Sequence, residues 1–242
     1  MTRARWFALL GALVPWVGYD ASADPPAPNP AIQPGEYIFA EGWRLGTLSV
    51  EATNGKLRFA INTVGGNAHV CELTGTIAGL EGRTDAEGAL PACVIRLTPL
   101  GNVVTVDAQT NEACHAYCGA RGFFVGKYVR PVPECVAAAV SATRATFKRL
   151  YDSKKFQEAR ATLEPLLRCE DVVDYFSMAW IRNDVAVARH ALNDDVGCRK
   201  VLEPLHWLAA ADDPAANQPA YKDDLTRIAS ATRFNLQLCR GT

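Results

Sequence analysis

The segment Ala113-Cys114-His115-Ala116-Tyr117-Cys118-Gly119-Ala120-Arg121 places a histidine between two nearby cysteines. Such a set could ligate a metal, cycle between thiol and disulfide, or close a structural clasp. A structural zinc site needs four ligands, and Cys114, His115 and Cys118 supply three with no second cluster nearby. A thioredoxin-type centre needs Cys-x-x-Cys at a helix start in an α/β fold; here the spacing is one residue longer and the surrounding pattern differs. The clasp is the reading left standing. No Gly-x-Ser-x-Gly elbow, His-Glu-x-x-His pair or Gly-rich phosphate loop occurs. His69, His190 and His206 read as packed or surface histidines without a sequence partner. Glu36 and Glu41 read as solvated carboxylates at a strand start, and Lys154-Lys155 and Asp223-Asp224 as exposed helix faces. The expectation is a protein that is not an enzyme, with no catalytic residue, cofactor or metal.

The compartment follows from the first residues. Arg3 and Arg5 precede the apolar run Trp6 to Val17, and Ala21-Ser22-Ala23 supplies a small-x-small cleavage pattern. The run is shorter than the ~20 apolar residues of a membrane span. Residues 1–23 are therefore expected to be a cleaved signal peptide, and the mature chain to be periplasmic or secreted. Cleavage removes two basic residues and one acidic residue, taking 25 against 26 to 23 against 25, a net charge near −2. Such a chain has no electrostatic reason to seek nucleic acid or an anionic membrane surface.

Two periods divide the rest. Residues 24–34 form a Pro-rich leader. From 35 to 130, Leu57, Phe59 and Ile61 alternate with Arg58, Ala60 and Asn62, and Cys71, Leu73, Gly75 and Ile77 share a face. Cys93 to Leu97, Val103 to Asp107 and Phe123 to Val129 read as further strands, with Asn54-Gly55 a strong hairpin turn. Beyond Arg130-Pro131-Val132-Pro133 the period becomes helical through 131–242, with five helices expected. The fold class is thus α+β: an antiparallel β-barrel or sandwich, then an all-α helical-hairpin domain. Leu163-Glu164-Pro165-Leu166 recurs as Leu202-Glu203-Pro204-Leu205 and closes a helix each time.

All eight cysteines follow the cleavage site, and an even number in an exported chain points to disulfides. In an antiparallel helical hairpin the start of the first helix meets the end of the second. That geometry pairs Cys135 with Cys169 and Cys198 with Cys239. The remaining four, Cys71, Cys93, Cys114 and Cys118, admit three connectivities, among which sequence does not choose. Apparent adjacency of strands favours Cys71–Cys93 with Cys114–Cys118.

Cys114-x-x-x-Cys118-Gly119-Ala120-Arg121-x-Phe123-x-x-Gly126-x-Tyr128 is similar to a signature in small exported proteobacterial proteins of largely unassigned function, where a β domain precedes a short helical repeat. His69-Val70-Cys71-Glu72-Leu73-Thr74-Gly75, on a secreted barrel over 35–129, resembles the periplasmic lysozyme inhibitors. No Ser-Gly-x-x-Tyr inhibitory loop accompanies it, so no inhibitory residue is carried over. Arg182 to Asp194, and Phe156 to Arg160 with Leu163, resemble the helices of a tetratricopeptide-like hairpin over 136–210. The repeat spacing of thirty-nine exceeds the usual ~34. These resemblances imply a binding or inhibitory protein whose partner is a protein, such as a cell-wall hydrolase. Tyr117, Arg121 and Lys127 are the candidate contacts, because aromatics and arginine dominate binding hot spots. The competing expectation is an envelope enzyme acting on peptidoglycan or glycan through carboxylates that the sequence does not mark.

Overall fold

The computed structural model describes residues 31–86 and 88–240. The expected signal peptide over 1–23 and residues 24–30 of the leader lie outside the described residues. Eight antiparallel strands close into a barrel in sequence order: β1 (Gly35–Phe39), β2 (Gly46–Thr53), β3 (Lys56–Val64), β4 (Val70–Ala78), β5 (Glu81–Thr84), β6 (Val94–Leu100), β7 (Val103–Ala108) and β8 (Gly126–Val129). Alternation places every second side chain inside. In β4, Cys71, Leu73, Gly75 and Ile77 are buried while their neighbours are exposed. Asn54 and Gly55 both take positive φ, 53° and 74°, as the two-residue turn between β2 and β3 demands.

Closure rests on a short seam. Only Ile38–Val129 and Phe39–Tyr128 pair between β1 and β8, and Arg130 extends the join. Its guanidinium donates to the carbonyls of Gln33 (3.1 Å) and Pro34 (2.9 Å) and to the Tyr37 hydroxyl (2.7 Å), lying over the Tyr37 ring. Within the span read as a leader, Ile32 is buried in the barrel core. Leu48, Ile61, Ile95, Leu97, Val106 and Tyr128 are fully buried, so the interior is filled with side chains. Each aliphatic side chain contributes roughly 1.5–3 kcal/mol of burial.

The connection from β7 to β8 carries α1 (Asn111–His115). After β8 come α2 (Ala137–Asp152), α3 (Phe156–Leu163), α4 (Tyr175–His190), α5 (Asp195–Leu202), α6 (His206–Ala210) and α7 (Lys222–Leu238). The repeated tetrapeptide marks a change of helix type. Leu163 ends α3 and Leu202 ends α5, and in each the following Glu-Pro opens a 3-10 segment. Proline has no N–H to continue the α ladder, while Leu163, Leu166, Leu202 and Leu205 stay buried. Helix α4 is central, packing on α3, α5 and α7. Its Asn183 donates to the Ala179 carbonyl and Thr232, and accepts from Asn235 of α7. These buried amides satisfy one another, as buried polar groups require.

The barrel grips the helices through the loop between β1 and β2. Trp43 lies against Tyr175, Phe176 and Tyr221, with ring centroids 5.8, 5.2 and 4.8 Å away. Its carbonyl accepts from the Tyr175 amide (3.0 Å), and Arg44 Nε donates to the Val173 carbonyl (2.8 Å). A second tie joins the loop between β3 and β4 to the helices: Asn67 receives an amide from Ala220 and gives its own to Gln218.

Trp43→Ala should cost about 3 kcal/mol, read by denaturant unfolding, and should expose the joint to limited proteolysis. Burial pushes the Tyr175 hydroxyl up to about 12, against a smaller opposing pull from Arg44. A raised folded pKa holds its stabilisation below the unfolded value near 10 and loses it as pH climbs through the folded one. Tyr175→Phe should therefore lose less stability than the parent between about pH 10 and 12, measured by alkaline unfolding. The buried hydroxyl has no hydrogen-bond partner among the described residues, so at neutral pH the change should stay within about 1 kcal/mol.

Candidate functional site

The two ends of the barrel differ. At one end β2–β3, β4–β5 and β6–β7 are joined by tight turns. At the other, the connections spanning 40–45, 65–69, 85–93 and 109–125 are all longer, and loops held on a rigid scaffold are where binding residues concentrate. The longest, 109–125, folds across that end. Thr110 Oγ1 accepts from the Val94 amide, and the single turn of α1 then faces Cys114 inward.

Two disulfides pin the loop: Cys93–Cys114 and Cys71–Cys118. The second sits beside a short bridge in which Glu72 N donates to the Tyr117 carbonyl (3.0 Å) and Gly119 N to the Val70 carbonyl (2.8 Å). The favoured Cys71–Cys93 and Cys114–Cys118 pairing is therefore wrong. Its premise, that Cys71 and Cys93 belong to consecutive strands, fails because β5 lies between β4 and β6. The helical pairs Cys135–Cys169 and Cys198–Cys239 follow the hairpin geometry as expected. Four disulfides, with no free thiol among the described residues, fit an oxidising extracytoplasmic compartment. No helix among the described residues is long and apolar enough to cross a membrane. The sulfurs of Cys114 and Cys118 are both consumed, and no group of three metal-ligating side chains converges among the described residues.

The three candidate contacts are not gathered into one patch. Tyr117 is half-buried over β4 and β5, its hydroxyl shared with Thr84 Oγ1 (3.0 Å) and the Pro91 carbonyl (3.3 Å). It braces the clasp against the 85–93 loop. Arg121 is exposed, and its backbone carbonyl presses on Gly65, where a Cβ would lie 2.2 Å from that oxygen. Only glycine admits this approach. Lys127 is exposed on the outer wall of β8, opposite Thr105 of β7 and remote in strand order from Tyr117. Glu36 and Glu41 have separate surroundings: Glu41 Oε1 accepts from the Lys127 amide (3.3 Å), while Glu36 borders a cleft of about 280 Å³ against α2 and the start of α4.

What the clasp end does present is apolar. Val70, Phe123 and Val125 are 47, 42 and 44% exposed. Phe123 meets Phe39 edge-on at 5.5 Å, and its carbonyl accepts from Thr63 (2.7 Å). The next carbonyl, of Phe124, accepts from the buried Tyr128 hydroxyl (2.7 Å), whose pKa is raised by burial. A shallow cleft of about 220 Å³ runs from Phe123 past Gly65 to Trp43 and Gln218. The pocket under α1 holds about 110 Å³, below the ~300–1,000 Å³ of small-molecule sites. Alternation alone does not show that Val70, at the start of β4, and Val125, in the loop before β8, are left uncovered; their high exposure is a tertiary fact.

Non-reducing peptide mapping should recover Cys71 linked to Cys118 and Cys93 linked to Cys114. The double variant Cys71→Ser with Cys118→Ser should lose roughly 4 kcal/mol in the chain-entropy model for a separation of 47 residues, measured by denaturant unfolding. No family model, no curated protein and no solved structure matches the chain.

Proposed function

We propose that the chain is a protein-binding module of an oxidising extracytoplasmic compartment, which blocks or buffers a partner protein through the clasp end of its barrel. The observation that carries this reading is the exposure of Val70, Phe123 and Val125 on a loop end held by two disulfides. Apolar side chains on a pre-organised surface bind without the entropy of ordering a loop. The filled barrel interior supports the same choice, since a side-chain core leaves no calyx for a small ligand. A cell-wall hydrolase is the partner class proposed, acting as the lysozyme inhibitors do by occlusion of a cleft. Arg121 then supplies a charged contact beside the apolar residues.

The test is inhibition of a purified peptidoglycan-cleaving lysozyme, together with retention of envelope proteins on the immobilised chain. Stoichiometric inhibition is expected, weakened about tenfold or more by the surface pair Val70→Lys with Val125→Lys and left unchanged by Leu100→Lys at the opposite end. Turnover of peptidoglycan fragments by the chain itself would overturn the reading, as would failure to retain any envelope protein.

A further inference from the structure

Most arginines of the helical half end on a carboxylate. Arg144 reaches Asp184, Arg160 and Arg189 reach Glu164, Arg168 reaches Glu134, Arg182 reaches Glu170 and Arg227 reaches Asp224. Arg149 stands on α2 with only a hydroxyl partner, Thr146. Arg199, Arg233 and Arg240 have no carboxylate within ion-pair distance among the described residues, and these three share one groove. It holds about 480 Å³ between α5, α6 and α7, with His206, Ala209 and Leu236 also in its lining and no aspartate or glutamate there among the described residues.

Neutral acceptors hold two of the guanidiniums in place. Arg233 donates through Nε to the Ala209 carbonyl and through Nη2 to the Ala211 carbonyl, both at 2.7 Å. Arg199 donates through Nη1 to the Cys239 carbonyl at the end of α7. Carbonyls orient a guanidinium without cancelling its charge, and each arginine keeps N–H groups with no partner among the described residues. Capping the last turn of α7 accounts for one contact of Arg199, and the Arg240 side chain makes no hydrogen bond among the described residues. The Cys198–Cys239 disulfide joins α5 to α7 immediately beside Arg199 and Arg240, so both walls of the groove are fixed.

Like charges confined to one concavity repel, and an anionic occupant relieves that repulsion. The full chain carries a net charge of −1, so the positive charge is local rather than the broad track a nucleic acid follows. The groove also offers an apolar lining, Leu236 of α7 and Ala209 and Ala210 of α6. Carboxylates and apolar side chains together are the chemistry of an acidic peptide. We propose that this groove docks an acidic segment of a partner protein, its carboxylates on Arg199, Arg233 and Arg240 and its apolar side chains against Leu236, Ala209 and Ala210. The site is separate from the clasp end and does not depend on it.

The test is fluorescence anisotropy of a dye-labelled peptide of alternating glutamate and leucine with the oxidised full chain. Saturable binding is expected, at least about tenfold tighter than for the glutamine counterpart, and weakened as salt rises from about 50 to about 300 mM. Arg240→Glu, at an exposed position, should weaken it about tenfold or more, whereas Arg149→Glu should leave it unchanged. Arg233→Gln gives a second reading should charge reversal at 240 disturb the helix end, and should also weaken binding. Equal binding of the glutamate and glutamine peptides would overturn the proposal. So would equal effects of the 149 and 240 variants, or full displacement by single-stranded oligonucleotide or inorganic phosphate at matched charge.

Discussion

Two disulfides crossing one barrel end constrain the rest of that end. The 109–125 connection has few ladder hydrogen bonds, and Cys71–Cys118 and Cys93–Cys114 replace them with covalent ties to β4 and to the entry of β6. With those ties in place the loop delivers two successive carbonyls to fixed donors, Phe123 to Thr63 and Phe124 to Tyr128. The second satisfies a hydroxyl inside the core, where an unmade hydrogen bond costs about 1–3 kcal/mol. The clasp therefore completes the barrel core as well as shaping its surface.

The same loop reaches toward the helices. Arg121 lies against Gly65, and the turn that Gly65 begins carries Asn67, which exchanges hydrogen bonds with Gln218 and Ala220. Trp43 makes the apolar joint alongside, in a cluster with Tyr175, Phe176 and Tyr221. Clasp and joint thus share the loops at one end of the barrel, and the exposed Phe123 stands between them, lining the cleft with Trp43.

Charge is arranged by element. Arg182 is buried and bound to Glu170 and the Val201 carbonyl, and Asp184 is raised by desolvation although Arg144 opposes the shift. These groups serve the packing of α4. Arg199 and Arg233 are instead held by carbonyls at the ends of α7 and α6, which set their direction and leave their charge available, and the Arg240 side chain has no hydrogen-bond partner among the described residues. An unmatched cluster among helices whose other guanidiniums are mostly matched is the distinguishing electrostatic feature of the helical half.

Period alone made the two halves legible. Alternation in Leu57, Phe59 and Ile61, and the helical rows after Pro133, depend on local burial repeats that sequence records directly. Hairpin antiparallelism likewise identified Cys135–Cys169 and Cys198–Cys239, because partners of one hairpin are neighbours whatever surrounds them. Glu81-Gly82-Arg83-Thr84 carried no apolar signal as a strand; its inward positions are Gly82 and Thr84, accepted because Ile95 and the Tyr117 hydroxyl fill the space beside them. Missing that strand misplaced Cys71 beside Cys93. By itself the sequence determined the classes of the two halves, their order and the local turns, all set by nearest neighbours along the chain. Only the tertiary structure decided the barrel disulfides, the exposure of Val70, Phe123 and Val125, and the meeting of three arginines in one groove, because each depends on which distant segments become neighbours.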